Sequence, residues 1–183
     1  MIVWLDVETT GLDPYNGDSL LQVAAIVTSD TFEEIEGEFC STIQYSTEDT
    51  WSMRQNADPY VQNMHDTSGV WLKLKDGTPL DEVDTLLVDF LKAQGVEAGT
   101  ARLGGNSITL DRNFINCYLP KTAEFLHYRS VDMTSVSFFL ENVVGIPHYE
   151  KNSTHDALDD IRESVAEAKI YSKALKNLIG VML

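Results

Sequence analysis

Asp6-Val7-Glu8 sets two carboxylates two residues apart at the end of the apolar run Ile2 to Leu5. On a strand, side chains at that spacing share a face. Adjacent carboxylates repel, and one holds a proton unless a cation sits between them. Mg²⁺ or Mn²⁺ suits an all-oxygen site of this kind. A solvated strand end would carry the same residues, so the pair alone leaves both readings open. A second acidic group stands near the C-terminus, in Ser153-Thr154-His155-Asp156-Ala157-Leu158-Asp159-Asp160. Asp160 falls in the first turns of a helix whose apolar face is Leu158, Ile161, Val165 and Ala168. On one unbroken helix His155 and Asp160 would stand about 140° apart. With His155 in the loop before the helix, both reach one site. The helix dipole accounts for Asp156 and Asp159, because acids favour a helix N-terminus.

A third group lies between these two. Gly105-Asn106-Ser107-Ile108-Thr109-Leu110-Asp111 offers a glycine, an amide and a hydroxyl, then an acid that opens a helix. That is the composition of a substrate-holding loop. Asp111 alone also fits a helix N-cap.

The bulk composition narrows the class. The 183 residues suffice for one domain with a sizeable core, so 1–183 is expected to be one unit. The 43% hydrophobic and 23% charged content is that of a globular chain. No apolar run approaches the ~20 residues of a membrane span, and the N-terminus lacks the pattern of a signal peptide. Cys40 and Cys117 have no zinc-site spacing and read as reduced thiols of a cytoplasmic protein. The 29 acidic against 13 basic residues give a net charge of −16. Such a chain should hold long duplexes poorly, because phosphate neutralisation supplies much of that affinity. The objection weakens for a very short substrate held by metal ions and a few placed side chains.

The elements that must position these groups are legible in outline. Strands are predicted over 1–8, 20–27 and 39–43. Residues 44–77 read as polar and irregular with short helices. Thr78-Pro79 opens a helix, with Thr78 as N-cap, that carries Val83, Leu86, Leu87, Phe90 and Leu91 and stops at Gly95. A strand near 101–105, a helix from Asp111, a strand near 129–133 and a helix over 134–144 follow. The last helix starts near Asp156. This order predicts an α/β single domain with a mixed central sheet flanked by helices.

Taken in order, an Asp-x-Glu pair near the N-terminus, an Asp in the middle and His-x-x-x-x-Asp near the C-terminus form the pattern of the DEDDh exonucleases. DVETTGLDP, GNSITLDRNF, HYRSVD and THDALDDIRESVAE further resemble the corresponding segments of the oligoribonucleases. The match runs along nearly the whole chain and is looser over 44–100. The resemblance implies a ribonuclease-H-like exonuclease fold and 3′→5′ hydrolysis of very short single-stranded RNA to mononucleotides. It makes Asp6, Glu8, Asp111 and Asp160 the ligands of two divalent ions, Mg²⁺ or Mn²⁺, and His155 the general base. An imidazole suits that role near neutral pH.

The same resemblance assigns the substrate contacts. Leu12 matches a leucine that wedges between the last two bases. Tyr60 matches an aromatic position, usually tryptophan, and His65 a histidine beside it. Ser107, Arg129 and Thr134 match positions that hold the 5′ phosphate end, which would favour short substrates with a free end. Tyr128 resembles a tyrosine that reaches the active site of a neighbouring subunit, which implies a homodimer. Ser130 stands where an aromatic or aliphatic residue is expected. Two other readings compete. A proofreading or trimming enzyme for longer strands should carry basic patches that this chain lacks. A binding module that has lost catalysis should lack some of the five catalytic residues, and all are present.

Overall fold

The computed structural model describes residues 1–32, 35–151 and 155–182. Ser153 and Thr154, at the head of the C-terminal motif, lie outside them. Five strands form one mixed sheet in the order β3-β2-β1-β4-β5. β1 (Ile2–Thr9) lies at its centre, antiparallel to β2 (Leu20–Thr28), which is antiparallel to β3 (Ile35–Thr42). On the other side β4 (Arg102–Gly105) runs parallel to β1, and β5 (His127–Asp132) parallel to β4. β1 and β2 are buried on both faces, which is why they read as continuous apolar runs.

The alternation along β1 decides where the chemistry goes. Val3, Leu5 and Val7 pack with Val83, Leu87 and Leu91 of α4 (Leu80–Ala93) and with Phe114 and Ile115 of α5 (Thr109–Tyr118). Ile2 and Trp4 pack with Met133 of α7 (Met133–Phe139) and with Ile161, Val165 and Ala168 of α8 (Ala157–Met182). Asp6 and Glu8 continue that second series and therefore face the side of the sheet that α8 covers. The helices on both faces meet the α/β expectation. Among the described residues no helix is long and apolar enough to cross a membrane.

Several elements differ from the sequence reading. Residues 44–77 form α1 (Thr47–Asn56), α2 (Pro59–Ser68), α3 (Val70–Lys73) and a 3₁₀ turn, Leu74–Asp76. Their few apolar residues, Val70, Trp71 and Leu74, close over Leu21 in a separate small cluster. α4 begins at Leu80 with Pro79 as its N-cap. Thr78 does not cap it, because its backbone pairs with the strand region, accepting from Gln44 and donating to Thr42 at 2.9 Å. Leu86, expected on the buried face of α4, is exposed. A further helix, α6 (Pro120–Phe125), leads into β5. The predicted helix over 134–144 is α7 followed by a π-helical turn, Leu140–Val144, which Gly145 ends at φ 81°.

Candidate active site

β1 delivers Asp6 and Glu8, and α8 delivers Asp160 from its first turn. One carboxylate oxygen from each of the three lies within 4.8 Å of the others. Two contacts set that approach. Gln22 is the cross-strand neighbour of Glu8, and its Oε1 accepts from the N–H of Ala157 at 3.1 Å, tying the start of α8 to the sheet. Asp156 caps the same end, accepting from Leu158 N–H at 3.2 Å, and pairs with Lys73 at 3.0 Å. Asp159 pairs with Arg162 at 2.9 Å. These two acids thus serve the helix, as their sequence positions suggested.

Asp111 arrives from α5 on the other side of β1. It is buried, and its Oδ1 accepts from the N–H of Val7 at 3.1 Å. It stands outside the tight group of three but adds its charge to theirs. Burial, then the charges of Asp111, Glu8 and Asp160, hold Asp6 well above the usual carboxylate range. Burial, then Asp160, Asp156 and Asp111, push Glu8 up to about 8. Burial raises Asp111 to about 7 against the hydrogen bonds of its own N–H and that of Val7. A set of acids this close keeps protons or takes up a cation. Hard oxygen donors of this number and charge fit a divalent ion such as Mg²⁺ or Mn²⁺.

His155 lies just outside α8 in a left-handed turn, φ 57°, a conformation that His tolerates better than most residues. The loop position that the site required is therefore the one observed. Its neighbour is His65, whose protonation it disfavours after burial has lowered that ring most.

Leu12 and Tyr60 are 78% and 67% exposed and line one cleft of about 640 Å³ together with Glu8, Val61, Met64 and Leu110. A carboxylate of the cluster therefore opens on the same space as two exposed apolar side chains. His65 departs from its expected place at the substrate, because its ring is fully buried. Its Nε2 lies 2.8 Å from the carbonyl of Thr9, its Nδ1 3.7 Å from Glu8 Oε2, and Trp71 meets its ring edge-on. In this chain by itself it braces the end of β1 from behind.

Ser107 and Thr134 come together. Ser107, with φ 52°, donates its N–H to Thr134 Oγ1 at 2.9 Å, and the two hydroxyls are 3.2 Å apart. Arg129 is exposed on β5, its guanidinium 5.3 Å from the ring of Tyr128. Tyr128 is 76% exposed, stacked on His127, and lines a separate cleft with Arg112 and Ser130. The unexpected Ser130 has a local use, since its Oγ accepts from Arg112 at 3.1 Å. Sequence reasoning missed Gln22 and Lys73, which carry no spacing signal. It also missed Glu167, which was findable because it follows Asp160 by seven residues on one helix face.

A mixed sheet with carboxylates from its central strand and from a crossing helix, beside an apolar-edged cleft, defines a metal-dependent nuclease of the ribonuclease-H-like class. The family model described as Exonuclease matches residues 3–168. The oligoribonuclease of Cutibacterium acnes is 35% identical over 178 residues, covering 96% of this chain and 86% of its own. That of Francisella tularensis subsp. novicida is 33% identical over 178 residues, covering 97% of each. The chain belongs to the exonuclease family and, within it, to the oligoribonucleases, and it is a nuclease enzyme. Solved structures carry the same fold. Exonuclease I of E. coli, in complex with an oligonucleotide, superposes with a TM-score of 0.69 at 17% identity over 98% of this chain. Exonuclease I of Methylocaldum szegediense gives 0.67 at 17% identity over 94% of it. The chain spans 42% and 40% of those two proteins.

Proposed function

We propose that the protein is a 3′→5′ exoribonuclease that degrades very short RNA, dinucleotides included, to 5′-mononucleotides, and that one exonuclease domain occupies residues 1–183. One observation carries the reading. The carboxylates of Asp6, Glu8 and Asp160 converge within 4.8 Å, and Glu8 opens on the cleft that exposes Leu12 and Tyr60.

Asp6, Glu8, Asp111 and Asp160 would hold two divalent ions, Mg²⁺ or Mn²⁺. Such ions supply charge to offset the phosphate oxygens and acidify a water. The residues of the chain do the rest. Leu12 and Tyr60 take the terminal bases, Tyr60 by stacking, which tolerates any base. His155 takes the proton of the attacking water near neutral pH. Ser107, Thr134 and Arg129 hold the free 5′ phosphate end, so a longer chain collides with this cap. A net charge of −16 is compatible with that economy, since a dinucleotide needs no basic groove.

Tyr128 completes the site of a second copy in a homodimer. Its exposure, and that of Phe138, Phe139 and Val143 on α7 and the π-helical turn, leaves an apolar surface for that copy to cover. The enzyme works in the cytoplasm. Turnover of a dinucleotide against a long single strand, with Mg²⁺, Mn²⁺ or a chelator, tests the reading. Preferential, chelator-sensitive turnover of the dinucleotide supports it, and preference for the long strand overturns it.

A further inference from the structure

Lys151 stands four residues before His155. Its ammonium donates to Asn106 Oδ1 at 2.7 Å and to Ser164 Oγ at 3.1 Å, and lies 2.9 Å from Glu167 Oε2. An ammonium has three protons to give, and each has a partner here. Asn106 donates in turn to the same Glu167 oxygen at 3.0 Å. Glu167 is buried, and Lys151 is its counter-ion.

The three acceptors belong to two parts of the site, the loop of Asn106 and one face of α8, which the Asn106–Glu167 bond also joins. Asn106 lies in the loop that leaves β4 and leads into Ser107. The end of β4 that it leaves lies close against β1, since a Cβ on Gly105 would stand 3.0 Å from the carbonyl of Leu5. Ser164 and Glu167 follow Asp160 by four and seven residues, so all three share one face of α8. Ser164 also donates to the carbonyl of Asp160 at 3.1 Å. One ammonium therefore joins the loop of Ser107 to the helix face of Asp160. At Asp6 the charge of Lys151 opposes those of the carboxylates. Packing alone does not call for this residue, because a methionine would fill the same space.

We propose that Lys151 is a positioning residue for phosphodiester hydrolysis, whose bonds to Asn106, Ser164 and Glu167 set the loop of Ser107 in place relative to Asp160. The proposal rests on the exoribonuclease reading above.

The test compares the full-length parent with Lys151→Met, Lys151→Arg and Lys151→Met/Glu167→Gln. The readouts are kcat and KM on an RNA dinucleotide with Mn²⁺, the same on thymidine 5′-p-nitrophenyl phosphate, Mn²⁺ affinity by calorimetry, and Tm. Lys151→Met should lose ~10–100-fold in kcat, the scale of a small misplacement of reacting groups, while Mn²⁺ binds at least as tightly as in the parent. Lys151→Arg keeps the charge and should recover part of kcat. The double variant removes the unpaired buried charge and keeps an acceptor for Asn106, so its Tm should return while kcat stays low. A kcat for Lys151→Met equal to the parent's overturns the proposal. So does a double variant in which kcat returns together with Tm, which would make Lys151 a strap for stability alone. A parent that hydrolyses the small ester but not the dinucleotide overturns the substrate reading instead. The ranking of the variants on the ester then decides the positioning claim by the same criterion.

Discussion

Asp111 Oδ1 accepts a hydrogen bond from the backbone N–H of Val7 at 3.1 Å, across 104 residues of chain. β4 pairs with β1 only as far as Trp4, so beyond it that edge of β1 has no strand partner among the described residues. Asp111 supplies one, and in doing so brings a fourth carboxylate up to the peptide between Asp6 and Glu8. The contact separates the structural from the electrostatic role of the acid. Asp111→Asn keeps an oxygen for Val7 and removes the charge, so the fold should survive while Mn²⁺ affinity and turnover drop. Asp111→Ala strands a buried N–H and should cost a further ~1–3 kcal/mol of stability. Chemical denaturation and calorimetry on the two variants check this.

The metal-free protein should lose stability as pH rises through neutrality. Burial and neighbouring acids push Glu8 up to about 8 and Asp111 to about 7. An unfolded chain sheds those protons near pH ~4, so between there and about pH 8 the folded state binds more protons and stability falls with pH. A bound divalent ion replaces the protons, so the Tm gain from Mn²⁺ should grow over the same window. A Tm of the chelated protein that rises between about pH 6 and pH 8 contradicts this.

His155→Ala should keep Mn²⁺ affinity and lose ~10²–10⁴-fold in kcat, the usual contribution of a general base. Near-parental turnover in that variant removes His155 from the mechanism.

Tyr60→Ala should raise KM for a dinucleotide by an amount equivalent to ~1–3 kcal/mol, the worth of one stacked base. Tyr60→Trp offers a larger ring in the same exposed place and should lower KM below the parent's. Steady-state kinetics on the two variants, with Leu12→Ala beside them, show whether the exposed pair acts on substrate. A KM unchanged in all three counts against the cleft.

Much of this was legible in the sequence because period and order carry it. The two-residue step of Asp6 and Glu8 sent both to the α8 side of the sheet, where Asp160 stands. The loop position of His155 followed from the phase of the last helix. What escaped is side-chain capture over distance. Asp84, on the buried stripe of α4, accepts from Lys121 N–H and Thr122 N–H at 2.9 Å and from Thr122 Oγ1 at 2.8 Å. No local pattern marks an acid that caps another helix 37 residues later. The burial of His65 escaped for the same reason, since nothing in the local pattern of α2 marks that position, and the contacts with Trp71 and Thr9 hold its ring inside. The role of Thr78 was misjudged because tertiary pairing with Thr42 and Gln44 overrides its capping propensity.

The most direct measurement is a product time course on 5′-labelled RNAs of two to seven nucleotides, with Mn²⁺, with Mg²⁺ and with a chelator. The account predicts that the dinucleotide is consumed fastest, yields only 5′-mononucleotides, and persists when the metal is removed. Dinucleotides that accumulate while longer strands shorten, or turnover that survives the chelator, would contradict it.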